Sequence, residues 1–106
     1  MQPSAQTRVP AYSPDMVKQV NKREAQASSK AFRKTLGRRI AGWRKLTGVS
    51  QDKLSKAAGV HNATIASLES GRMPPSLEML EIISTALEIP LGQMMFQDAP
   101  PPPEKE

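Results

Sequence analysis

Residues 50–69, SQDKLSKAAGVHNATIASLE, constrain the fold of this chain more than any other segment. Gly59 follows a helix-compatible run, and glycine suits the end of a helix because it adopts a positive φ without a Cβ penalty. Ser55 is small at a point where a bulky side chain would push a crossing helix away. The segment therefore predicts two short helices joined by a tight turn. Their shared buried contact would consist of Leu54, Val60, Ile65 and Leu68.

A small residue, a turn glycine and apolar residues at these offsets describe a helix-turn-helix, whose second helix enters the major groove of DNA. In the phage repressor and Cro family, also called the XRE-type regulators, the first helix and the start of the second resemble LGRRIAGWRKLTGVSQ. The end of the family's third helix, its loop and its last two helices resemble LESGRMPPSLEMLEIISTALEIPLGQMMF. The likeness runs from about residue 36 to about residue 96 and implies an all-α, five-helix repressor-like domain.

Two residues depart from the family's usual pattern. Ser55 replaces the alanine that usually follows Leu54, and it is still small. Glu88 replaces the glycine that usually separates the fourth and fifth helices. A left-handed residue other than glycine would cost about 1 kcal/mol at that position.

Proline content and the spacing of apolar residues divide the chain into three segments. Residues 1–30 are predicted to be a basic, largely disordered arm, in which Ser13 and Pro14 favour the start of a helix over residues 14–30. A frayed extension is the alternative for that part of the arm. Residues 31–97 are predicted to form the DNA-binding domain. Residues 98–106 are polar and rich in proline, so a disordered tail is expected.

Apolar residues inside the predicted domain recur every three or four positions, as one face of a helix requires. In the first helix they are Phe32, Leu36, Ile40 and Trp43, and in the fourth they are Leu77, Leu80, Ile83 and Leu87. Ser50 and Ser76 are suited to cap the second and fourth helices. The third helix is expected to run from about His61 to near Gly71, and a short fifth helix to follow Pro90.

The net charge of +5 hides an asymmetry along the chain. Residues 1–47 contain eleven Lys or Arg against Asp15 and Glu24, which gives +9, and the remainder of the chain gives −4. Charge alone leaves double-stranded DNA, anionic lipid and a merely solvated tail open as explanations. The helix-turn-helix favours DNA. Affinity without sequence preference is expected from the arm cations Lys18, Lys22, Arg23 and Lys30.

Residue types missing from the chain exclude several functional classes. There is no cysteine and only one histidine, so disulfides, thiolate chemistry and a His-rich metal site are excluded. No Ser/His/Asp set and no phosphate-cradling glycine loop is evident, so we expect neither an enzyme nor a cofactor. The sequence contains no apolar run of membrane-spanning length and no signal-peptide core. We therefore expect a cytoplasmic protein, bacterial or phage-encoded, that associates with the nucleoid.

The resemblance assigns base contacts to the third helix. By position in the family, these contacts fall on His61, Asn62, Ala63 and Ser67. The Asn62 amide matches the N6 and N7 edge of adenine, while Ala63 and the Thr64 methyl group suit a thymine methyl. His61 is equally consistent with a helix cap.

Phosphate contacts are expected where helix ends present free N–H groups. The candidates are Ser50 and Gln51 at the start of the second helix, and Ser70 and Arg72 in the loop after the third. Arg72 is also consistent with a solvated surface residue. Arg44 and Glu69 resemble the family's structural ion pair between the first helix and the end of the third, with an exposed surface pair as the alternative.

Met94, Met95 and Phe96 leave two roles open, because they suit either closure of the core or an exposed contact with a second subunit. We predict a homodimeric repressor that binds a palindromic operator. The alternative is an antitoxin-type protein-interaction module, whose N-terminal arm binds and neutralises a partner toxin.

Overall fold

A computed structural model of the protein describes residue 11 and residues 13–101. All regular structure in this part of the chain is helical, which confirms the predicted all-α, five-helix class. A single 3₁₀ turn, Pro14–Met16, precedes the α-helices. These are α1 (Lys22–Leu46), α2 (Gln51–Ala58), α3 (Asn62–Ser70), α4 (Leu77–Leu87) and α5 (Leu91–Phe96). The disorder predicted for residues 1–10, 12 and 102–106 concerns positions outside the described residues.

Helix α1 begins earlier than the domain boundary predicted at residues 30/31 and later than the start predicted at Pro14. Its N-cap is Asn21, whose Oδ1 accepts hydrogen bonds from the N–H groups of Arg23 at 2.9 Å and Glu24 at 3.2 Å. Residues 17–21 are all exposed, so no tertiary packing stabilises a helix there. No glycine or proline interrupts residues 22–36, and one continuous helix therefore joins the arm to the domain.

The predicted serine caps are present at both positions. Ser50 Oγ accepts a hydrogen bond from the N–H of Lys53 at 3.0 Å, and Ser76 Oγ accepts one from the N–H of Met79 at 3.0 Å. Each bond satisfies one of the free N–H groups at a helix start. Glu88 ends α4 in the left-handed region with φ of 59°, as the comparison with the family's usual glycine implied.

One hydrophobic core joins the five helices. Its buried residues are Leu36, Ile40, Trp43, Leu54, Ile65, Leu68, Leu80, Ile83, Leu87 and Met94. Two residues of the predicted stripes do not belong to it, since Phe32 is 45% and Leu77 is 66% exposed. Phe32 lies on the part of α1 that extends past the end of α3. Leu77 is the first residue of α4 and lies about 60–120° around that helix from Leu80, Ile83 and Leu87.

Met94, Met95 and Phe96 differ in burial, and the two predicted roles were closure of the core and contact with a second subunit. Met94 is fully buried, Met95 is half-buried and Phe96 is 63% exposed. Met94 therefore closes the core of the single chain. As a dimer contact, the prediction for Met94 was wrong, because no surface of its side chain is available to a second copy.

Residues 97–99 dock along α1, so the folded domain extends past residue 98, where the tail was predicted to begin. Trp43 Nε1 donates a hydrogen bond to the Gln97 carbonyl at 2.9 Å. Arg39 pairs with Asp98 at 3.0 Å, and Ala99 packs against the core. No helix among the described residues is both long enough and apolar enough to cross a membrane.

Candidate nucleic-acid interface

Helices α2 and α3 form the predicted two-helix unit. Gly59 ends α2 with φ of 73°, a left-handed conformation that lets the chain turn directly into α3. Leu54 and Ile65 are fully buried where the two helices cross. Ser55 is also buried, and its hydroxyl donates to the Asp52 carbonyl at 2.7 Å on its own helix. This serine is therefore tolerated in the core because its polar group is satisfied locally.

The first turn of α3 faces away from the core. Ile65 and Leu68 occupy the buried side of the helix, whereas His61, Asn62 and Ala63 are exposed. Within the described residues, the Asn62 amide has no hydrogen-bond partner. Its donor and acceptor atoms are therefore both available to a base edge.

The other predicted base-contact residues differ in position. His61 occupies the N-cap position of α3, but its side chain makes no capping hydrogen bond. His61 is thus the cap residue by position but not by a side-chain bond, and its imidazole is exposed at the helix start. Thr64 and Ser67 are half-buried, so they present less surface than Asn62 does.

Ser70, the last residue of α3, and Arg72, in the loop that follows, lie together; both are predicted to contact phosphates. Ser70 Oγ donates to the Ser67 carbonyl at 3.1 Å, and Arg72 Nε donates to Ser70 Oγ at 3.3 Å. Both residues are exposed. The remaining guanidinium N–H groups of Arg72 can therefore face an anion while the serine orients the side chain.

Arg44 and Glu69 form the predicted ion pair, and the pair is buried. Arg44 Nε lies 2.6 Å from Glu69 Oε2, and Arg44 Nη2 donates to Glu69 Oε1 at 3.0 Å. The two side chains are 10% and 6% exposed. Arg44 Nη1 also donates to the Val49 carbonyl at 2.9 Å. The pair thus ties the end of α1, the turn before α2 and the end of α3 together.

Gln51 is joined to this ion pair, which sequence reasoning missed. Its Nε2 donates to Glu69 Oε1 at 2.9 Å, so part of the side chain bonds to the buried ion pair and is not available at the surface. The sequence offers only a weak signal for this contact: Gln51 is polar, stands at the start of a helix and follows Arg44 by seven positions. The amide oxygen of Gln51 is the part of the side chain that this bond leaves available.

The Glu69 network holds the candidate contact groups in one frame. The start of α2, the start of α3 and the loop at residues 70–72 belong to elements that Arg44, Gln51 and Glu69 connect. Rigid positioning of this kind lets separate polar groups meet one rigid surface together. In the part of the chain that the structure describes, no group of three metal-ligating side chains lies together.

Comparisons with known proteins point to the same kind of molecule. A family model described as helix-turn-helix matches residues 40–94. An uncharacterised HTH-type transcriptional regulator, YazB of Bacillus subtilis (strain 168), is 32% identical over 69 residues, which cover 65% of this chain and 91% of that protein.

Two solved structures share the fold. The crystal structure of the clp gene regulator ClgR from Corynebacterium glutamicum is similar with a TM-score of 0.58 and 28% identity, and the match covers 59% of this chain and 82% of that chain. The restriction-modification controller protein C.AhdI from Aeromonas hydrophila is similar with a TM-score of 0.60 and 26% identity, over 61% of this chain and 94% of that one.

Proposed function

Because the chain belongs to the helix-turn-helix family of DNA-binding transcriptional regulators, we propose that it acts as a homodimeric repressor on a near-palindromic operator. The observation that carries this proposal is the exposed first turn of α3, with the Asn62 amide free of partners among the described residues. A helix buried on its Ile65 and Leu68 side and polar on the other is suited to lie in the major groove.

We assign the reading of bases to that turn and the holding of phosphates to the elements beside it. Asn62 pairs with adenine through its amide, and His61 and Ala63 touch neighbouring base edges. Thr64 and Ser67, which are half-buried, contribute at the margins of the groove. The phosphate contacts are assigned to Ser50, Gln51, Ser70 and Arg72.

Two copies are needed because one short helix contacts too few bases to select a single site. Two copies related by a two-fold axis place their α3 helices on half-sites about 10 base pairs apart, or a multiple of that spacing. For the contact between copies we propose Phe96, which is 63% exposed, with half-buried Met95 beside it. A bound dimer would repress by occupying the operator.

The first experiment tests the orientation of the motif on DNA. An operator is selected from a pool of random duplexes, and binding of Asn62→Ala and Gln51→Ala is measured on the operator, its single-base variants and random duplex. Asn62→Ala should become indifferent at one base pair in each half-site, with a loss of about 1–3 kcal/mol of discrimination. Gln51→Ala should weaken specific and random DNA alike, because phosphates carry no direct sequence information. The reverse pattern would contradict the orientation.

A second experiment tests the dimer. Phe96→Ala is expected to raise the concentration at which the protein dimerises, as measured by sedimentation equilibrium, and to leave the folded chain intact. Phe32→Ala is the matched control, because Phe32 is also an exposed aromatic residue but belongs to α1 rather than α5. A wild-type footprint that covers only one half-site would rule out binding of the operator by a dimer.

A further inference from the structure

Five cations share one face of α1 before that helix reaches the core. These residues, here called the basic stripe, are Lys22, Arg23, Lys30, Arg33 and Lys34. On a helix with 3.6 residues per turn they fall within an arc of about 120°. The one acidic residue of α1, Glu24, points to the opposite side. The stripe is therefore a face of a single charge sign.

The cations of the basic stripe have no acidic partner among the described residues. Three cations elsewhere do have one, since Arg39 pairs with Asp98, Arg44 with Glu69, and Lys56 with Asp52. Within the same described part of the chain, the Nε of Arg33 is buried and has no hydrogen-bond partner. The stripe thus carries concentrated positive charge that the folded chain itself does not neutralise.

The basic stripe lies on the side of α1 that packs against α3. Gly37 and Arg44 continue the same arc, and Arg44 bonds to Glu69 at the end of α3. A Cβ on Gly37 would overlap the carbonyl oxygens of Leu68 and Glu69, so the two helices touch closely there. A Cβ on Gly71 would stand 2.9 Å from the Cα of Lys34.

These contacts locate the C-terminal end of the basic stripe. Lys34, its last residue in the sequence, lies against Gly71 at the end of α3, next to the loop that carries Arg72. From there the helix extends back to Lys22, twelve residues or about 18 Å away, with Arg33 half-buried and Lys22, Arg23 and Lys30 exposed. Before Lys34, the exposed cations Lys22, Arg23 and Lys30 continue the face of α1 that contacts the end of α3.

We propose that the basic stripe binds the phosphate backbone of duplex DNA outside the half-site that α3 reads. This inference rests on the proposed function, because it uses the same orientation of α3. About 18 Å of duplex carries roughly ten phosphate charges, more than enough to match five cations. The stripe continues directly from the Arg72 loop, so one phosphate track serves both. The contact adds affinity and lengthens the footprint without adding sequence preference.

The test compares two pairs of substitutions on the same helix. One variant carries Arg23→Gln and Lys30→Gln, at the centre of the stripe. The control carries Arg38→Gln and Lys45→Gln, which remove the same two charges from exposed positions outside the arc. All proteins are the full chain, and helical circular dichroism verifies that each variant is folded. Affinity is measured against salt concentration on the selected operator, once with long flanks and once trimmed to the two half-sites.

On the long duplex, the stripe variant should lose about two units of the slope of log affinity against log salt for each protomer, and the control should lose clearly less. Trimming the flanks should flatten the slope of the wild type, and it should flatten the slope of the stripe variant less, because that variant keeps only three of the five cations. Base preference should be the same in all three proteins. Equal slopes for the stripe variant and the control would overturn the proposal.

The same proteins separate this inference from its premise. If the selection enriches no sequence, the proposed function fails; a stripe-dependent slope on random duplex would still support the phosphate contact. If the wild type selects an operator but the salt dependence of its affinity changes neither with the stripe substitutions nor with the flanks, only the stripe proposal fails. Binding to vesicles of anionic lipid that depends on the stripe, with no stripe effect on DNA, would assign the surface to a membrane instead.

Discussion

Replacing Glu69 with alanine removes the acceptor that connects three helix ends. Its carboxylate receives two hydrogen bonds from Arg44 and one from Gln51. After the substitution, Arg44 keeps only its bond to the Val49 carbonyl, and its side chain is 10% exposed. A guanidinium in that position is charged, largely shielded from water and short of partners.

The size of the effect follows from this burial. Removing one member of a buried pair typically costs about 3–5 kcal/mol, because the other charge is stranded. An exposed pair contributes under about 1 kcal/mol. For a domain of this size, 1 kcal/mol corresponds to about 4–8 °C in Tm. Glu69→Ala should therefore lower Tm by at least about 12 °C.

Urea unfolding followed by circular dichroism gives the free energy of unfolding for the wild type and for each variant. Glu78→Ala is the matched control, because Glu78 is an exposed glutamate in the first turn of α4. Its loss removes only a favourable interaction with the helix N-terminus, about 0.3–1 kcal/mol. The double variant Arg44→Met with Glu69→Leu should recover most of the stability, since it strands no charge.

Two results would refute this reasoning. Equal losses for Glu69→Ala and Glu78→Ala would show that the buried geometry does not determine the energy. A double variant as unstable as Glu69→Ala would show that lost packing, rather than a stranded Arg44, causes the effect.

Two further predictions concern backbone conformation. Glu88 is the one non-glycine residue with positive φ in the described part of the chain. Glu88→Gly should raise Tm by about 4–8 °C, because it relieves about 1 kcal/mol of backbone strain. Calorimetry measures Tm, and a lower Tm for the variant would contradict the prediction. Gly37→Ala should lower the free energy of unfolding in urea by about 1–3 kcal/mol, because the new Cβ meets the backbone of α3. Gly92→Ala has open space around its Cβ and should leave that free energy unchanged or raise it. Similar losses for both variants would refute the close approach of α1 and α3 at Gly37.

Local signals explain how much of the fold could be predicted from the sequence. Ser50 and Ser76 cap helices because a hydroxyl next to free N–H groups is favourable in any fold. Gly59 ends a helix for an equally local reason. The stripe of Leu36, Ile40 and Trp43 follows from the helical period alone. These signals placed four of the helices close to their observed bounds.

What the sequence could not settle depends on how the helices are arranged. Ser13 and Pro14 favour a helix start, yet α1 begins only after Asn21, from which helix formers continue without a break. Phe32 has the right period for the core, but α3 ends before reaching it. The hydrogen bond from Gln51 to Glu69 requires the crossing geometry of α2 and α3, which no local pattern of residues contains.

The contact between Trp43 and Gln97 gives the chain a built-in optical probe. Trp43 is the one tryptophan of the protein, and its indole is buried between α1 and the segment after α5. Tryptophan fluorescence therefore originates at that contact alone. Release of residues 97–99, with the five helices still formed, would admit water to the indole and shift its emission to longer wavelength. Emission and circular dichroism together thus distinguish a loosened C-terminal segment from global unfolding, without any attached label.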